Sequence, residues 1–165
     1  MASIKFKGNP AYTSGELPKV GAQAPDFKLV KNDLSEASLT NHAGKKIILN
    51  IFPSIDTATC ASSVRKFNAE AAKISNTVVL NISMDLPFAQ KRFCGAEGIT
   101  NVETLSAFRS SFGKDYGLMM IDSPLNGLCS RAVIAISDDG KVLYTEQVAD
   151  ITSEPNYEAA LKSIL

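Results

Sequence analysis

Residues 45–83, KKIILNIFPSIDTATCASSVRKFNAEAAKISNTVVLNIS, contain two compact apolar runs separated by a segment with helical spacing. Ile47, Ile48, Leu49, Ile51 and Phe52 form a strand-sized run that Pro53 terminates. From a start near Thr57 to Thr59, the residues Cys60, Val64, Phe67, Ala71 and Ile74 recur at intervals of four and three, which aligns them on one face of an α-helix. Val78, Val79, Leu80 and Ile82 make a second strand run suited to the same apolar layer. Strand, helix and strand in this order predict a β-α-β unit with a right-handed crossover, its helix laid on a sheet.

Outward from this unit the pattern stays α/β. IKFKGNP (4–10) and YTSGELPKVG (12–21) read as short extended pieces broken by Gly and Pro, an edge hairpin. Residues 24–46 are polar in the middle and suit connecting structure with peripheral strands. LPFAQKRFCGAEG (86–98) has one or two helical turns before its glycines interrupt, which places Cys94 near a helix terminus or loop. TLSAFRSSFGKDYG (104–117) supplies a short helix. AVIAI (132–136) is a buried-strand pattern, SDDGK a turn and VLYTEQV (142–148) the returning strand of a hairpin. EPNYEAALKSIL (154–165) ends the chain as a helix with Tyr157, Ala160, Leu161 and Ile164 on its apolar side. Without a linker or repeat, residues 1–165 read as one α/β domain.

Composition narrows the function classes. With 165 residues and 45% apolar content, the chain can build a core without disulfide or metal staples. Seventeen basic residues balance seventeen acidic ones, so no global field draws it to nucleic acid or an anionic membrane. The first thirty residues hold no signal-peptide core and no run approaches the ~20 apolar residues of a membrane span, so a cytoplasmic protein is expected. Cys60, Cys94 and Cys129 are odd in number and irregularly spaced, which is unlike a secreted disulfide framework and directs attention to redox chemistry. One histidine, His42, and scattered cysteines make no ligand set for a metal, and His42 reads as a solvated loop residue.

On sequence context alone, Cys60 has two equal roles. At the start of a helix, unpaired N–H groups and the helix field favour a thiolate; on an apolar face, a small thiol simply fills the core. Nearby residues are similarly ambiguous: Pro53 can end a strand, Thr57 can cap a helix and Arg131 can form a peripheral ion pair.

A resemblance changes that balance. PSIDTATC (53–60) resembles the active-site signature of the peroxiredoxins. IILNIFPSIDTATCASSVRKFN (47–68) with SMDLPFAQKRFCGAEG (83–98) resembles the bacterial thiol peroxidases, the atypical two-cysteine branch. ELPKVGAQAPDF (16–27), GLCSRAVIAI (127–136) and SEPNYEAAL (153–161) extend the resemblance over nearly the whole chain. It implies a thioredoxin-like peroxiredoxin fold with a mixed central sheet, flanking helices and an N-terminal strand extension.

The same resemblance implies site roles. Cys60 is the peroxidatic cysteine, Thr57 places a hydroxyl beside the peroxide, Pro53 shields the pocket and Arg131 converges on sulfur and peroxide. Arginine suits that place because it offers several donors and a persistent charge. Cys94 is the resolving cysteine, and a disulfide to Cys60 is expected to need local unwinding, since bonded cysteines bring their Cα atoms within about 7 Å. Implied substrates are hydrogen peroxide and organic hydroperoxides, the implied reductant is thioredoxin, the implied assembly is a homodimer, and the cycle calls for no haem, flavin or metal. Cys129 falls outside this two-cysteine pattern and reads as a neutral structural thiol. A non-catalytic interaction domain of this shape and a protein thiol-disulfide oxidoreductase are the competing classes; the absence of a Cys-x-x-Cys motif weighs against the second.

Overall fold

The computed structural model describes residues 1–71, 73–99 and 102–165. Its centre is the anticipated unit: strand β5 (Lys46–Ile51), helix α1 (Ala58–Ala71) and strand β6 (Thr77–Ser83). β5 and β6 pair in parallel with Ile47 opposite Val78 and Ile51 opposite Ile82. Because successive strand side chains point to opposite faces, Ile48 and Val79 meet Phe67 of α1 on one face. Leu49, Ile51, Leu80 and Ile82 enter a second apolar layer on the other. Both faces are covered, which accounts for the largely apolar character of these two strands; each is interrupted by one buried asparagine, Asn50 and Asn81, and Asn50 Nδ2 donates to Asn81 Oδ1 at 2.8 Å. Cys60, Val64 and Phe67 of α1 are fully buried, whereas the side chain of Ala71 lies outside the described portion.

Seven strands form the main sheet in the order β4-β3-β7-β6-β5-β8-β9. These are β3 (Lys28–Val30), β4 (Glu36–Ser38), β7 (Glu103–Ser106), β8 (Ala132–Ile136) and β9 (Val142–Gln147) in addition to β5 and β6. β6 and β7 are parallel, β8 runs antiparallel to β5, and β8 and β9 form the hairpin expected across residues 137–141. Helix α4 (Tyr157–Lys162) packs Ala160 against the face that also receives Phe67, with Ile48, Val133 and Ala135 beneath it. Truncating Ile48, which is wholly enclosed there, costs about 2–5 kcal/mol. Among the described residues, no helix is long and apolar enough to cross a membrane.

Three elements depart from the sequence expectation. Residues 103–106 form strand β7, and only Phe112–Asp115 (α3) is helical in the stretch expected to give a helix. Thr104 and Ser106 disguise this strand: both are buried, their hydroxyls donating to Asn32 Oδ1 and to the Asp85 carbonyl. Helix α2 (Pro87–Glu97) runs through Gly95 and ends at Gly98, whose φ of 64° supplies the left-handed turn that closes helices. Cys94 therefore lies within the last helical turn, near the helix terminus as expected, and only the break at Gly95 is absent.

The N-terminal strands, β1 (Ser3–Phe6) and β2 (Asn9–Tyr12), form their own two-stranded sheet instead of an edge of the main one. Their turn is Lys7-Gly8, both with positive φ (51° and 81°), as a tight two-residue hairpin requires. The hairpin is tied to residues 149–151: Lys5 N–H donates to the Ala149 carbonyl at 2.8 Å and Ile151 N–H to the Lys5 carbonyl at 2.9 Å.

Candidate active site

Pro53 is buried two residues beyond the end of β5, and residues 54–57 lead into α1. Thr57 precedes the first helical residue. Its hydroxyl donates to the Ser54 carbonyl at 3.1 Å and accepts from Cys60 N–H at 3.4 Å, so the capping role is present. A hydroxyl has one proton and two lone pairs, which leaves one acceptor lone pair on Thr57 in this arrangement. Cys60, in the first turn of α1, has no exposed surface.

Arg131 immediately precedes β8, whose Ala132 pairs with Ile51 at the end of β5. That adjacency carries its side chain to the α1 N-terminus. Its Nη2 donates to Cys60 Sγ at 3.1 Å and its Nε to the Ile151 carbonyl at 2.7 Å, while its Nη1 is buried with no partner among the described residues. Arg131 is only 2% exposed, so it is no peripheral ion-pairing residue. A buried guanidinium with an unmet donor is costly unless something occupies that donor.

Two carboxylates organise the surrounding loops, and sequence reasoning singled out neither. Asp85, between β6 and α2, accepts from Ser54 Oγ at 2.7 Å, Ile55 N–H at 2.7 Å and Ser83 Oγ at 2.6 Å. It thereby joins the loop before Cys60 to the start of the helix that carries Cys94. Asp150 accepts from Thr152 Oγ1 at 2.6 Å, Thr152 N–H at 2.9 Å and Gly8 N–H at 3.0 Å, and these donors, the Thr152 hydroxyl foremost, lower its carboxyl to about 2. It fixes the segment whose Ile151 carbonyl holds Arg131. The available sequence signal was weak: an Asp two residues from a Ser or Thr, as in Ser83-Met84-Asp85 and Asp150-Ile151-Thr152, is ordinary turn material.

Pro53, Thr57 and Arg131 line one cavity of about 250 Å³ together with Phe6, Lys7, Ala58, Thr59, Leu125, Ile151 and Thr152. Three of the sequence-selected residues thus share a cavity, and the fourth, Cys60, is bonded to its buried arginine. A larger cleft of about 560 Å³, over Asp26, Lys28, Glu36, Arg109 and Asp115, is lined by neither cysteine nor histidine.

Cys94 is brought only part of the way. It packs with Phe93 against the apolar cluster of Phe52, Ile55, Cys60, Val64 and Ile99, yet all three cysteines are free thiols. Its Sγ lies 3.5 Å from Thr104 Oγ1, and it lines a separate cavity with Lys31, Asn32 and Thr104. Surface contacts hold α2 to α1, notably the two-pronged pair in which Arg65 Nε and Nη2 both lie 2.9 Å from the Glu97 carboxylate.

Cys129 is enclosed, 1% exposed, and burial, followed by the charge of Asp85, pushes its thiol up to about 12. His42 is not the solvated residue expected: its side chain is 14% exposed, with Nε2 3.2 Å from Glu103 Oε2. It ends a short 3₁₀ turn (Leu39–His42) close to β7, the strand that sequence reading missed. Among the described residues, no group of three His, Cys, Asp or Glu side chains is arranged to hold a metal ion.

This geometry has known counterparts. The Redoxin family model matches residues 19–161. The thiol peroxidase of Corynebacterium glutamicum is 54% identical over 164 residues, covering 99% of both chains, and that of Mycobacterium tuberculosis is 55% identical with the same coverage. The chain belongs to the thiol peroxidase family of peroxiredoxins. A solved peroxiredoxin-like protein from Aquifex aeolicus superposes with a TM-score of 0.93 at 38% identity, covering 99% of this chain and 96% of that one. The mixed sheet with flanking helices is accordingly the peroxiredoxin form of the thioredoxin-like fold. Membership of the thiol peroxidase family supports thiol-dependent peroxidase activity.

Proposed function

We propose that the chain reduces hydrogen peroxide and organic hydroperoxides to water or alcohols by a two-cysteine cycle that thioredoxin resets. The observation that carries this is Arg131, which is buried, bonded to Cys60 Sγ, left with an unmet Nη1 donor, and one of the residues lining the cavity with Thr57 and Pro53.

In the first step Cys60 reacts as a thiolate with the terminal peroxide oxygen. The S–O bond forms as the O–O bond breaks, Cys60 becomes a sulfenic acid, and the leaving oxygen takes a proton and departs as water or an alcohol. Arg131 Nη2 holds the sulfur, and its free Nη1 faces the oxygen on which negative charge collects. The spare lone pair of Thr57 accepts the peroxide O–H, orienting the distal oxygen toward sulfur. Pro53 fills the wall and excludes water.

In the second step the Cys94 thiol condenses with the Cys60 sulfenic acid, releasing water and forming an intramolecular disulfide. This requires α2 and the first turn of α1 to loosen, because Cys60 is enclosed and held by Arg131 while the Cys94 thiol lies against Thr104 and lines a cavity of its own. A dithiol reductant of the thioredoxin class then exchanges with the disulfide and restores both thiols.

The unit acting is proposed to be the whole chain as one domain, in the cytoplasm and as a homodimer. Phe88 and Leu86, 66% and 51% exposed at the start of α2, are apolar surface of the kind subunit contacts cover. Peroxide-dependent NADPH oxidation through thioredoxin reductase and thioredoxin tests the function. Turnover of both peroxide classes is expected. Reduction of protein disulfides without peroxide consumption would instead favour the thiol-disulfide oxidoreductase class, and neither activity would favour an interaction domain.

A further inference from the structure

We propose that Lys7, at the tip of the N-terminal hairpin, recognises an anionic head on the substrate, so that the cavity selects organic hydroperoxides bearing a carboxylate; this rests on the peroxidase reading above. The cavity of about 250 Å³ amounts to roughly eight water volumes, far more than hydrogen peroxide fills. Phe6, Pro53, Leu125 and Ile151 give it apolar walls suited to a hydrocarbon body, and among the described residues no carboxylate side chain lines it. Its cations are two. Arg131 is buried and committed to sulfur and the reacting oxygen. Lys7 comes from another element, and its ammonium pairs with no carboxylate among the described residues, resting instead 5.4 Å from the centroid of the Phe6 ring.

The hairpin tip is held in place. Lys7 keeps a φ of 51° because the two-residue turn demands it. Gly8 N–H is bonded to Asp150, and Lys5 is bonded through its N–H and carbonyl to residues 149 and 151. Asp150, the acid beside the hairpin tip, forms no ion pair with Lys7 among the described residues; its carboxylate accepts instead from Gly8 N–H and from Thr152 N–H and O–H. A cation at the apolar mouth and a peroxide-ready guanidinium inside match a molecule charged at one end and peroxidised at the other. The segment that holds Arg131 through the Ile151 carbonyl also anchors the hairpin, so head-group and peroxide sites share one support.

The test compares kcat/KM for 6-hydroperoxyhexanoate and its methyl ester, with hydrogen peroxide as a third substrate, in the full-length protein and in Lys7→Met and Lys7→Glu. Lys7→Met should lower the acid-to-ester ratio about fivefold, the size of one partly exposed ion pair. Lys7→Glu should lower it further, and added salt should shrink the ratio in the unsubstituted protein. An unchanged ratio in both variants would overturn the assignment of Lys7 alone. Absence of turnover with all three substrates, hydrogen peroxide included, would overturn the peroxidase reading and this inference with it.

Discussion

Arg131 and Cys60, 71 positions apart in the chain, meet in the interior with Nη2 3.1 Å from Sγ, while the Ile151 carbonyl fixes the guanidinium from its other side. The relationship depends on a planar fork that reaches sulfur, carbonyl and cavity together, which a lysine ammonium cannot reproduce. Arg131→Lys should therefore lower kcat/KM for hydrogen peroxide about 10²- to 10³-fold, the usual cost of a lost charge-stabilising donor. Stopped-flow peroxide consumption measures this, with circular dichroism to show that the fold is kept. A loss under tenfold in a folded variant would remove Arg131 from the proposed chemistry.

Asp85 receives Ser54, Ile55 and Ser83. Asp85→Ala leaves these donors without their acceptor and should destabilise the protein by about 2 kcal/mol. Because the same carboxylate joins the loop before Cys60 to the start of α2, the variant should also slow attack on peroxide while exposing Cys94 to alkylation. Urea unfolding and timed alkylation of Cys94 read the two effects separately.

Glu97 is held below the ordinary carboxylate range mainly by its hydrogen bonds from Arg65, so the link between α1 and α2 is intact at neutral pH and fails as pH falls through the lowered value. Glu97→Gln removes the ion pair while keeping the shape. If loosening of α2 limits disulfide formation, the variant should form the Cys60–Cys94 bond about two- to fivefold faster after peroxide, consistent with a surface pair of ordinary strength. Quenched-flow trapping of thiols follows the rate, and an unchanged rate would detach this contact from the resolving step.

Cys129 bears on alkaline stability. Its folded thiol sits near 12 against an ordinary 9.0, so both folded and unfolded states hold the proton below pH 9 and the stabilisation is fully present there. As pH rises from 9 toward 12 the unfolded thiol ionises first, and on the order of 4 kcal/mol is lost. Cys129→Ala should flatten this alkaline fall in urea-unfolding free energy and leave peroxide turnover intact. An equally steep fall in both proteins would contradict the burial effect.

The parts legible in the sequence are those where one physical signal dominates. β5, α1 and β6 announced themselves because their apolar residues are contiguous or spaced by three and four. β7 did not, because Thr104 and Ser106 are buried through hydrogen bonds rather than through apolarity. Glycine misled at Gly95, whose missing side chain nothing in the structure requires, while Gly98 does end the helix. Family resemblance, not periodicity, singled out Pro53, Thr57, Cys60, Cys94 and Arg131 together. The hairpin's contribution of Phe6 and Lys7 to the cavity was hidden, since it arises from contacts across almost the whole chain, such as Gly8 to Asp150.

The most direct measurement is intact and peptide mass spectrometry of Cys94→Ser after one equivalent of hydrogen peroxide, with a sulfenic-acid trapping reagent present. Cys60 is the predicted site of a single adduct, with Cys129 unmodified, and the unsubstituted protein should yield the Cys60–Cys94 disulfide instead. An adduct on Cys129, or peroxide consumed with Cys60 still a free thiol, would contradict the assignment of Cys60 as the nucleophile.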